Sequence, residues 1–142
     1  MRVSYWDTSA IIPCIAFEEE FKHAPDLFMK TNGETRLSSL ITLMEIESAI
    51  RRKYNQKVIS QSERSQIEGR WVKLQSAFQF LPVDIHATRA ALHMQKLYAL
   101  KTCDAIQLGA AFVIQTQGTP LHFISFDKKL SRYASQEGLS IP

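Results

Sequence analysis

Apolar and polar positions change period several times along this chain, and each change marks an element. Val3-Ser4-Tyr5-Trp6 has no polar face of any length, so residues 2–6 read as a short buried strand. Residues 8–17 follow as a helix that tolerates Pro13 in its first turns. Glu18-Glu19-Glu20 suits a helix start, and Gly33 marks that second helix's end. Residues 35–38 form a short strand candidate. The strongest helical pattern covers residues 40–54: Leu43, Ile46, Ala49 and Ile50 recur at helical spacing before the basic close Arg51-Arg52-Lys53.

The second half continues the alternation. Residues 60–75 read as a more polar helix with Ile67, Trp71 and Leu74 on one face. Phe78-Gln79-Phe80-Leu81-Pro82-Val83 alternates as a strand does, and Asp84 caps a helix running to about Leu100. Residues 104–115 are apolar nearly all round, which predicts burial on more than one side. A turn at Gln117-Gly118-Thr119-Pro120 leads to a strand over 121–126, a short helix over 128–133 and a candidate edge strand at 139–141. Strands separated by helices imply a parallel sheet covered on both faces, hence an α/β fold. At 142 residues the expectation is one domain over residues 1–142.

Three acids occupy similar places in this pattern. Asp7 ends the first strand, Asp127 ends the last, and Asp104 opens the apolar helix. In open α/β sheets, ligands bind at the carboxyl ends of the strands. Carboxylates gathered there repel one another unless a proton or a cation intervenes. Hard oxygen ligands suit Mg²⁺ or Mn²⁺, and such sites commonly serve phosphoryl chemistry. Taken singly, each of Asp7, Asp104 and Asp127 reads better as a helix N-cap than as a ligand, and capping does not exclude ligation. Glu45 does not read as a cap, because it lies inside a helix beside the apolar stripe, where a carboxylate needs a partner. Glu47 points away and reads as ordinary surface.

Charge adds a substrate class. The net charge is +3, from 17 Lys+Arg against 14 Asp+Glu. With the four acids set aside for a cation, 17 basic residues face 10 acidic ones, an excess of about +7 that attracts a polyanion. Arg51, Arg52, Lys53, Lys101, Lys128 and Lys129 are the candidate nucleic-acid contacts. His23, His86, His93 and His122 show no ligand spacing. Cys14 and Cys103 form no zinc motif or disulfide framework, which points to a reducing, cytoplasmic setting. No secretory segment and no apolar run near the ~18 residues of a bilayer span are seen, so no membrane association is expected.

Four segments together resemble the PIN-domain family, most closely the VapC-type toxins of bacterial toxin–antitoxin pairs. They are Asp7-Thr8-Ser9-Ala10; Ser38 through Glu45 with Ala49-Ile50 and Arg51-Arg52; Thr102 through Ala110 around Asp104; and Ile124-Ser125-Phe126-Asp127-Lys128-Lys129-Leu130. The resemblance runs the length of the chain. It implies a three-layer α/β/α sandwich and a Mg²⁺- or Mn²⁺-dependent endoribonuclease. It also implies a homodimer held inactive by a cognate antitoxin. Asp7, Glu45, Asp104 and Asp127 would form the acidic quartet, Ser125 the hydroxyl before the last acid, and Thr8 or Ser9 the one after the first. Within that quartet Asp7 and Asp104 are expected as direct metal ligands, with Glu45 and Asp127 orienting water or a second ion. Thr8, Lys101, Lys128, Lys129 and Arg51 are the expected substrate contacts. Lys101 departs from the Arg found in many relatives, keeping charge but losing bidentate phosphate geometry.

Two other classes remain open on the residues. A haloacid-dehalogenase-like phosphatase wants a second acid after Asp7, where this chain has Thr8-Ser9, and a receiver domain gives Glu45 no role. A non-catalytic binding module on the same fold is the remaining alternative.

Overall fold

The computed structural model describes residues 2–142. Four strands, β1 (Val3–Trp6), β2 (Thr35–Ser39), β3 (Gln79–Leu81) and β4 (His122–Ile124), form one parallel sheet in the order β3-β2-β1-β4. The helices are α1 (Thr8–Ala16), α2 (Ala24–Lys30), α3 (Ile41–Asn55), α4 (Gln61–Gln75), α5 (Ile85–Tyr98), α6 (Thr102–Thr116) and α7 (Lys128–Gln136).

Side chains alternate across a strand, and this divides the core in two. Tyr5 faces one way with Leu37 and Phe123, against Met94 of α5, Leu108 and Ala111 of α6, and Leu130 and Ala134 of α7. Trp6 faces the other way with Ile124, against Ala10, Ile11 and Ile15 of α1, Ile46 and Ile50 of α3, and Ile67 and Trp71 of α4. The result is the expected three-layer sandwich. The near-continuous apolarity of α6 is explained by burial at Ala105, Leu108, Gly109, Ala110 and Ala111. A Cβ on Gly109 would stand 2.6 Å from the backbone nitrogen of Ala91, so α5 and α6 meet at a distance that only glycine permits.

Several elements differ from the sequence expectation. The single helix predicted before Gly33 is a short 3-10 turn (Glu19–Phe21) followed by α2, because Pro25 lies in the first turn of a new helix, where a missing N–H costs nothing. The last strand is shorter than 121–126, since Ser125 and Asp127 turn the chain into α7. That helix runs on to Gln136 because Leu130 and Ala134 both bury. The edge strand at 139–141 reduces to one parallel bridge between His122 and Ser140. Among the described residues, no single helix is long and apolar enough to cross a membrane.

The topology sets the site. The chain moves outward from β1 to β2 to β3, then returns across the sheet to place β4 on β1's other side. The switch point therefore lies between β1 and β4, whose carboxyl ends lead into Asp7 and into Ser125-Phe126-Asp127. The Asp7 N–H donates to the Ile124 carbonyl at 2.9 Å, which stitches the two strand ends together.

Candidate active site

Asp7 occupies the N-cap position of α1 with extended backbone (φ −72°, ψ 152°), yet its side chain caps nothing. Its Oδ2 instead accepts from the Ser9 hydroxyl at 2.6 Å and the Ser125 hydroxyl at 2.9 Å. Both serines in turn accept backbone hydrogens of the β4–α7 turn: Phe126 N–H bonds Ser9 Oγ at 3.0 Å and Asp127 N–H bonds Ser125 Oγ at 3.1 Å. Asp7 is 4% exposed. Burial pushes its carboxyl up to about 6, the two serine hydrogen bonds oppose that rise, and the charges of Glu45 and Asp104 add to it.

Glu45 projects from α3 half-buried. Its Oε1 accepts from the Thr8 hydroxyl at 2.7 Å and from the Gln107 amide at 2.8 Å. Asp104 lies in the first turn of α6, within the helix rather than capping it. Partial burial raises its carboxyl, Asp127 and Glu45 raise it further, and the positive charges of Lys101 and Lys129 lower it. Asp127 is a true N-cap: Oδ1 accepts from Lys129 N–H at 3.0 Å and Leu130 N–H at 3.1 Å. The four acids thus form an electrostatically linked group near the switch point: the charges of Glu45 and Asp104 act on Asp7, and those of Asp127 and Glu45 act on Asp104.

Among the described residues, no three His, Cys, Asp or Glu side chains converge tightly enough to ligate one ion directly. Mg²⁺ suits such a spread set, because it keeps several waters and takes only one or two carboxylates directly. The hydrogen bonds described above fall on Oδ2 of Asp7 and Oε1 of Glu45, so each has a second oxygen outside them. A buried carboxyl with a raised pKa beside two further acids is what a cation would relieve. The donor set fits a hydrated divalent cation on these grounds.

The structure separates the expected substrate contacts. Lys101 and Lys129 carry their charge to Asp104. Lys128 is exposed. Arg51 is not brought to the acids; it pairs with Glu47 along α3 at 3.6 Å, both side chains exposed. Lys53 pairs with Glu18 at 3.6 Å. Thr8 is buried, and its hydroxyl serves Glu45, so the hydroxyl on Asp7 is that of Ser9. The Cys103 thiol is pushed up by partial burial and by Glu45 and Asp104, which disfavours a thiolate nucleophile. Trp6 and Trp71 are core residues.

Gln107 is the member that sequence reasoning passed over. It is fully buried, and it joins Tyr5, Thr8, Thr42 and Glu45. A buried amide inside an otherwise apolar helix is the signal that points to it.

A family model described as PIN domain matches residues 4–136 of the chain. A solved structure titled "Toxin-antitoxin complex from Klebsiella pneumoniae" shares the fold, with a TM-score of 0.57 and 22% sequence identity, over 84% of this chain and 83% of that one. No curated protein matches the sequence.

Proposed function

Since the chain belongs to the PIN-domain family, matched over residues 4–136, we propose that it is a Mg²⁺- or Mn²⁺-dependent endoribonuclease acting as the toxin of a toxin–antitoxin pair. The observation that carries this reading is Asp7: a buried carboxyl raised to about 6, linked to Glu45 and Asp104 at the carboxyl ends of β1 and β4. Such an arrangement is costly without a counter-charge, and a structural role alone gives no reason for it.

Asp7 and Asp104 would hold the cation, with Glu45 and Asp127 directed to its waters. When bound, the cation supplies a more acidic water and offsets charge on the phosphate. The chain's own groups do the positioning. Ser9 and Ser125 both donate to Oδ2 and fix the Asp7 carboxylate through that oxygen. Thr8 and Gln107 fix that of Glu45. Lys101 and Lys129, which already offset the charge at Asp104, would meet the phosphates of the RNA strand. The antitoxin partner is proposed from the fold shared with the Klebsiella pneumoniae complex, and a homodimer and a cytoplasmic setting complete the reading.

The test is cleavage of mixed total RNA by antitoxin-free protein in Mg²⁺, Mn²⁺ or EDTA, comparing wild type with Asp7→Ala/Asp104→Ala. Metal-dependent cleavage lost in the double variant supports the assignment. Absence of cleavage by folded wild type with metal present, across the whole RNA pool, counts against a nuclease.

A further inference from the structure

We infer that Gln107 is a positioning residue, a buried amide whose task is to hold the Glu45 carboxylate in place at the acidic centre; this rests on the nuclease reading above. The hydrogens around it can be followed one by one. Ser38 Oγ donates to the Trp6 carbonyl at 2.8 Å, so its single hydrogen is spent there. The 2.7 Å contact between Ser38 and Thr42 hydroxyls must then be donated by Thr42. With its hydrogen spent, Thr42 Oγ1 can only accept from Gln107 Nε2, at 2.9 Å. Thr8 donates to Glu45 Oε1 at 2.7 Å rather than to Thr42 at 3.3 Å, since a carboxylate is the stronger acceptor.

Gln107 therefore has two amide hydrogens and two good acceptors for them, Thr42 and Glu45, with Thr8 Oγ1 a longer third neighbour at 3.1 Å. Its amide cannot be flipped, because its oxygen would then face the Glu45 carboxylate and a Thr42 hydroxyl whose hydrogen goes to Ser38, and its nitrogen would face the Tyr5 hydroxyl. That orientation turns Oε1 toward Tyr5, whose hydroxyl donates at 2.6 Å. Tyr5 and Gln107 are both fully buried, so no water substitutes for either bond. Every hydrogen in the cluster has one destination. The chain of donors ends at only two places, the Trp6 carbonyl and Glu45 Oε1. The first is a structural acceptor, and the second is an acid of the site. A side chain on α6, the helix that carries Asp104, thereby fixes a side chain on α3.

Two variants separate positioning from support. Gln107→Glu keeps the shape and the acceptor for Tyr5 but removes the donor to Glu45. Gln107→Met removes every polar contact. Ser38→Ala is the control, since it cuts the same network at its far end. Mn²⁺ affinity of the apo-protein, thermal unfolding, and kcat and KM on an oligoribonucleotide cut by the wild type are measured for each. The expected result is a 10–100-fold loss of Mn²⁺ affinity or of kcat in the folded Gln107 variants, the scale seen when hydrogen bonds that orient the groups around a metal are lost, with KM nearly unchanged. Ser38→Ala should lower the unfolding temperature and leave Mn²⁺ affinity and kcat within about twofold of the wild type. Folded Gln107→Glu with wild-type affinity and kcat overturns the inference. So does an equal loss in Ser38→Ala, which would make the whole network responsible. A wild type that neither binds Mn²⁺ nor cleaves RNA removes the nuclease reading itself, an outcome distinct from both.

Discussion

The Ser125 hydroxyl donates to Asp7 Oδ2 at 2.9 Å across 118 positions of sequence, joining the exit of β4 to the exit of β1. Ser125 also accepts the Asp127 N–H, so one hydroxyl fixes a buried acid and the turn that leads to another. Its bond opposes the burial that raises Asp7. Removing it in Ser125→Ala should push Asp7 higher. A hydrogen bond to a charged group contributes about 1.5–3 kcal/mol, which corresponds to a shift of about one pH unit or more in the acid limb of cleavage. A pH–rate profile in Mn²⁺ that superimposes on the wild type would refute this.

Asp7 also makes stability depend on pH when metal is removed. Its folded carboxyl sits at about 6, against an ordinary 3.8, so the folded state holds the proton more tightly. The stability this confers is fully present below the unfolded value and is lost as pH rises through about 6. In EDTA the wild type should therefore weaken between about pH 4 and 7, by on the order of 3 kcal/mol from this group. Asp7→Asn, which cannot ionise, should be the more stable protein at pH 7.5 and lose that advantage at pH 4. Urea unfolding of both at the two pH values decides it, and a gap that does not change with pH contradicts the sign.

Lys101 and Lys129 should matter for RNA where Arg51 does not. The first two bring charge to Asp104, while Arg51 is paired with Glu47. Lys101→Ala/Lys129→Ala should weaken RNA binding and reduce its log–log salt slope by about 0.7 for each phosphate no longer neutralised. Arg51→Ala should bind with the wild-type slope. Equal effects in the two proteins would mean that the RNA follows another path.

Gly109→Ala tests the seat of α6. The new Cβ would fall 2.6 Å from Ala91 N, with Ala90 C and Ala91 Cα both at 3.0 Å. Backbone cannot rotate aside as a side chain can, so α5 and α6 must part, at a cost of about 1–3 kcal/mol. Because α6 carries Asp104 and Gln107, Mn²⁺ affinity should fall together with the unfolding temperature. An unchanged unfolding temperature would show that the helices separate freely.

Much of the architecture is legible in the sequence because it is written locally. The alternation at β3, the helical stripe of α3 and the all-round apolarity of α6 each reflect which faces are buried, and burial imposes a period. The Asp84 cap is legible for the same reason, since its bond to Ala87 N–H spans three residues. The break before α2 is also local, and Pro25 is the mark that announces it. The length of α7 is harder to read: its last turn is held by burying Ala134 against the sheet's core, and that packing comes from elsewhere in the chain.

By itself the sequence determined the α/β alternation, the placing of Asp7 at the end of β1, and the presence of Glu45 beside an apolar stripe where a carboxylate needs a partner. Only the tertiary structure decided what each acid does there. It buried Asp7 under Ser9 and Ser125, committed Asp127 Oδ1 to capping α7, and gave Glu45 the amide of Gln107 from 62 positions away. It also brought the charge of Lys129 to bear on Asp104 and left Arg51 with Glu47. The physical reason is the reach of each signal. Periodicity records that a face is buried, whereas hydrogen-bond partners and field strength depend on distances set only when β4 closes against β1.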